Sequence, residues 1–77
     1  MIDLLIINKA GTAPVTIAQS NDPINARDLH VVNLDHAVRI QLGNDYQVGY
    51  DNNTHMIGRT CTELNQGART ATFTMAL

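Results

Sequence analysis

The sequence predicts a mainly β domain, built as a small antiparallel sheet, sandwich or barrel of about 5–7 short strands. Three observations carry that prediction. Turn-forming clusters recur along the chain: Lys9-Ala10-Gly11-Thr12-Ala13-Pro14, Ser20-Asn21-Asp22-Pro23, Gly43-Asn44-Asp45, Asp51-Asn52-Asn53 and Asn65-Gln66-Gly67. The runs between them are short and rich in Ile, Val and Thr, whose branched side chains suit a pleated surface. Eight Asn and eight Thr also outnumber the 12 charged residues, giving a neutral polar surface that fits strands and turns better than exposed helices.

Leu4, Leu5, Ile6 and Ile7 are apolar on both parities, so the first strand should be covered on two sides, either mid-sheet or at a subunit contact. Pro14 lacks a donor and bars the start of the second strand from a central ladder position; beyond it Val15 and Ile17 alternate with Thr16 and Ala18. Asp22-Pro23 is an N-cap and first-turn pair that allows one short helical turn over residues 22–27. His30, Val32, Leu34, His36, Val38, Ile40 and Leu42 then share one parity. An unbroken strand from residue 28 to residue 42 would run about 50 Å at roughly 3.3 Å per residue, too long for so small a domain. Asn33-Leu34-Asp35 is therefore the expected bend, with Asp35-His36 in a turn.

Past the bend, a three-residue loop at Gly43-Asn44-Asp45 would set Leu42, Ile40 and Val38 opposite Tyr46, Val48 and Tyr50, with all six side chains on one face. A last hairpin closing over residues 64–68 would pair Ile57 with Met75, Arg59 with Phe73 and Cys61 with Ala71. Ala71, Phe73, Met75 and Leu77 then share one side, and Thr60, Thr62, Thr70, Thr72 and Thr74 form a threonine ladder on the other.

With 77 residues the chain is read as one small β domain, residues 1–77. A chain of this size buries only about 60–65% of its unfolded surface, so additional support is expected. Cys61 is the only cysteine, which excludes an intrachain disulfide and a cysteine-rich zinc site. Self-association remains, and a homo-oligomer is the expectation. The net charge of −2, with Lys9, Arg27, Arg39, Arg59 and Arg69 scattered along the chain, offers no footprint for duplex nucleic acid. The opening segment MIDLLIINKAG has no positive n-region and only a four-residue apolar run, so neither a signal peptide nor a membrane span is read there. A cytoplasmic location, including that of an infected host cell, or a place in a virion follows as the expectation. Asn52-Asn53-Thr54 fits the glycosylation pattern but is read as a turn.

Neither catalysis nor a cofactor is expected. His30, His36 and His55 have no recognised metal-ligand spacing, Cys61 sits on an alternating strand like a small core residue, and Glu63 is the only glutamate. No nucleophile-elbow, phosphate-loop or dinucleotide motif occurs. Tyr46 and Tyr50 read as packing residues. The candidate binding residues are Arg59, Thr60, Thr62, Arg69, Thr70 and Thr72, since hydroxyls flanked by guanidinium forks can take up a phosphate or carboxylate. In composition alone, with no motif behind it, the chain resembles phage-encoded accessory and virion subunits. The leading expectation is a non-enzymatic protein-binding or assembly module, acting as a small homo-oligomeric β subunit that is a structural accessory or an inhibitor of a larger protein. The alternative is a small-molecule binder that grips an anionic ligand such as a nucleotide at a subunit boundary.

Overall fold

In a computed structural model, which describes residues 1–9 and 14–75, the chain is mainly β. Its strands are β1 (Ile2–Asn8), β2 (Pro14–Ser20), β3 (Asp28–Val31), β4 (Asp45–Tyr50), β5 (Ile57–Asn65) and β6 (Thr70–Met75). They form one antiparallel sheet in the order β2-β1-β4-β5-β6-β3. The turn expected over residues 10–13, and the end of the last apolar stripe at Leu77, lie outside the described residues.

β1 lies inside the sheet between β2 and β4, as its two-sided apolar run requires, with Leu4 and Ile6 buried and Leu5 partly open on the outer face. β2 is an edge strand, where Pro14 is tolerated. Its buried residues are the small Thr16, Ala18 and Ser20, and Ile17 points outward. The sheet curls until its two edges meet, among the described residues, at one bridge, where Gln19 and Val32 exchange backbone hydrogen bonds of 2.9 and 2.8 Å.

The rest of the gap between the edges is filled by residues 33–40. Leu34, Ala37 and Ile40 enter the core from this wedge beside Leu29, Val31, Val48 and Phe73. The wedge also covers the open edge of β2: Asp35 N–H donates to Ile17 O at 3.0 Å, His36 N–H to Thr16 Oγ1 at 2.9 Å, and the Arg39 guanidinium to Val15 O at 3.4 Å. An edge occupied in this way is a poor template for a further strand.

Three expectations are corrected. The helical turn lies at Ala37–Arg39 and is of 3-10 type, whereas residues 23–26 hold a β-turn closed by Ala26 N–H to Pro23 O at 2.9 Å. The Asp22 carboxylate does not cap a helix because it binds His30 instead. Residues 38–42 form no strand, so the pairing of Leu42, Ile40 and Val38 with β4 does not occur; β4 pairs with β1 and β5. The burial of residues 34, 37 and 40 shows a spacing of three, the period of a tight 3-10 turn. The bend itself falls where expected, with Asn33 at φ 56° and Asp35-His36 in a turn.

The C-terminal hairpin forms in a shifted register: Arg59 pairs with Met75 and Cys61 with Phe73, through a turn at residues 66–69. A bulge between Cys61 and Glu63 inserts Thr62 as an extra residue. The shift at Arg59 and Cys61 is by two residues, so both keep the inward parity expected of them.

Candidate functional site

The outer face of β4-β5-β6-β3 carries the threonine ladder. Asp45, Thr60, Thr74 and Asp28 stand opposite one another in a single row across four strands. Thr60 donates to Asp45 Oδ1 at 2.7 Å and Thr74 to Asp28 Oδ1 at 2.9 Å. Because the Thr74 hydroxyl has one proton and spends it on a carboxylate, its 2.9 Å bond with Thr62 must have Thr62 as donor. Lys9 closes on Asp45 at 3.3 Å. The hydroxyl of Thr60, and then Lys9, hold the Asp45 carboxyl below its usual pKa. The next rows hold Glu63, Thr72 and His30, and then Asn65 and Thr70, lining a shallow groove of about 380 Å³.

The two arginines of the candidate set are elsewhere. Arg59 is 2% exposed and lies inside the curled sheet, donating to Ile24 O at 2.9 Å, Arg27 O at 3.0 Å and Phe73 O at 3.1 Å. Its Nε has no hydrogen-bond partner among the described residues, and burial lowers the pKa of the guanidinium. Arg69 is exposed at φ 56° in the 66–69 turn, beside Thr70. Thr60, Thr62, Thr70 and Thr72 thus share a face as expected, but that face is flanked by Asp28, Asp45 and Glu63. The guanidinium of Arg59 is separated from it by the sheet.

The three histidines are not brought together. His30 pairs with Asp22, His36 with Asp35 at 3.6 Å, and His55 stacks edge-on against Tyr50 at 5.2 Å. Among the described residues no group of three or more His, Cys, Asp or Glu could hold a metal ion. Cys61 is buried, its thiol pKa is pushed up by that burial, and it donates to Glu63 O at 3.4 Å.

Two arrangements escape the sequence reading. One is a clasp at the β2-β3 connection: Asp22 Oδ2 accepts both the backbone N–H of His30 at 2.8 Å and its ring Nδ1 at 2.9 Å, while buried Ser20 donates to His30 O at 2.6 Å and accepts from Asp22 N–H at 3.0 Å. The backbone bond from His30, then the ring, depress the Asp22 pKa. The other is a ledge where β2 meets the wedge. Ile17 is 53% exposed and Val38 74%, on adjoining elements, and Leu42 follows along the same segment at 62%. Its only sequence signal is a pair of large apolar residues on stretches whose opposite parity or period of three already fills the core.

Among the described residues no helix is long and apolar enough to cross a membrane. Comparison with known family models, curated proteins and solved structures gives no match.

Proposed function

We propose that this chain is a non-enzymatic protein-binding or assembly module, working as a small homo-oligomeric β subunit. The observation that carries this reading is the exposure of two large apolar side chains on adjoining elements, Ile17 on β2 and Val38 on the wedge that occupies its edge. Large side chains left in water together mark an association surface more often than singly scattered ones do. With β2 blocked by the wedge, association falls to side chains and not to strand addition. The subunit role proposed is that of a structural accessory of a larger assembly or of an inhibitor of a larger protein.

The alternative, a binder of anionic small molecules, draws less support. The threonine face ends in carboxylates, and an anion approaching Thr60 or Thr74 would meet Asp45 or Asp28. Sedimentation equilibrium over a micromolar concentration series tests the leading reading. A concentration-dependent rise in mass supports it; a constant monomer mass removes the homo-oligomer.

A further inference from the structure

The ledge is bordered by opposite charges on its two sides. On one side Ile17 borders a groove of about 390 Å³ that includes Asp3, Asp35 and Asp51. On the other, Arg39 borders a second depression, with Val15 and Lys9, toward the far end of β2. Lys9 is engaged by Asp45, whereas Arg39 makes no ion pair among the described residues and only a long bond to Val15 O. Along β2 the surface therefore passes from an acidic groove at Ile17 to the Arg39 cation at Val15, with Val38 next to Arg39 in the chain.

From this arrangement we infer that the partner on the ledge is a second copy of the same chain, docked about a two-fold axis through Ile17 and Val38. The inference rests on the homo-oligomer reading above. A two-fold axis through the apolar centre reverses the order of the flanks, which sets Arg39 of each copy over the acidic groove of the other. One surface then satisfies itself, as an isologous interface requires. A uniformly acidic or uniformly basic border would repel its own copy instead.

A standard interface removes about 800 Å² from each partner, roughly a fifth of the 4443 Å² that this chain exposes. Partly open Leu5, the cross-strand neighbour of Ile17, extends the apolar centre over the outer face of β1. The interface thus has an aliphatic core with a charged rim, and Arg is among the residues such surfaces favour.

Charge-swap sedimentation tests this pairing on the full chain, with circular dichroism to confirm that each variant is folded. Val38→Asp, Arg39→Asp and Asp35→Arg should each weaken the dimer about tenfold or more. Mixing Arg39→Asp with Asp35→Arg should restore a dimer, because each contact then again joins opposite charges. An unaltered dissociation constant in all three variants would refute this surface while leaving the homo-oligomer reading standing. A mixture that stays monomeric would refute the bipolar pairing, and a monomeric native chain would overturn both readings and leave the ledge to a different protein.

Discussion

The guanidinium of Arg59 donates to the carbonyl oxygen of Ile24 at 2.9 Å, joining β5 to a connection 35 residues earlier in the chain. The same side chain holds Arg27 O and Phe73 O, so one buried cation fixes the β2-β3 connection against β6 from within. Arg59→Ala removes three donors at once and takes from Ile24 O its side-chain donor, while Arg27 O keeps the Met75 N–H at 2.9 Å. The expected loss is at least about 2 kcal/mol in urea unfolding. If stability is retained and only ligand or partner binding falls, the arginine has a recognition role and not the internal one described.

Acid should loosen the molecule through identifiable carboxylates. Asp22 and Asp45 both titrate below the ordinary carboxylate range in the folded chain. Their contribution is therefore complete above the pKa of an unfolded aspartate, about 3.9, and is lost as pH falls through the lower folded values. Asp22→Asn should flatten that acid limb, and urea midpoints measured between pH 6 and pH 2.5 would show it. An unchanged slope would mean that the bonds from His30 are not maintained in solution.

Two glycines should respond differently to the same change. A Cβ on Gly49 would lie 2.6 Å from Thr54 O and against Met56, so Gly49→Ala must displace the 51–56 loop from the outer face of β4. A destabilisation of about 1–3 kcal/mol is expected from such overpacking. Gly58→Ala meets nothing within 4 Å and should be close to neutral by thermal melting.

Adjacent residues of β1 separate folding from association. Ile6 is wholly buried, and Ile6→Asp should abolish folding, since an unpaired carboxylate cannot be accommodated in a core this small. Leu5 is partly open beside Ile17, so Leu5→Asp should leave the circular dichroism spectrum intact and reduce association. Loss of fold in both variants would make Leu5 a core residue.

His36→Ala should change stability by no more than about 0.5 kcal/mol, the scale of an exposed substitution without special contacts. Its ring is half exposed and pairs with Asp35 at 3.6 Å. A large loss of partner binding would put the His36 ring itself in the interface, beside Asp35.

The extent to which the sequence disclosed this fold is clearest at Leu34 and Ile40. They are six residues apart, a separation that fits both a period of two and a period of three. Alternation through Val38 favoured a strand; the structure resolves the ambiguity through Ala37, which is buried, and Val38, which is exposed. Only the shape of the gap between β2 and β3 decides between them, and no local pattern contains that shape. The inward parity of Cys61 and the outward parity of the threonines were legible because alternation survives a register shift of two. The bulge at Thr62 was not, since an extra residue leaves no mark on a run of β-favouring side chains. Arg59 shared the apolar parity from the start, and its position inside the sheet follows that parity. Asp22 and His30 were eight residues apart with no motif to join them.

The bridge between Gln19 and Val32 makes the curled sheet a ring with a seam. Elsewhere a strand can leave only by breaking several ladder bonds together, whereas the seam has two ladder bonds, and side-chain bonds from Ser20, Asp22 and Asn33 and the docking of a short wedge supply the rest. Local opening should therefore begin there, and the Val32 and Gln19 amides should exchange with solvent sooner than those inside β4. A partner seated over β2 and the wedge would span this seam and slow its breathing without altering the folded architecture.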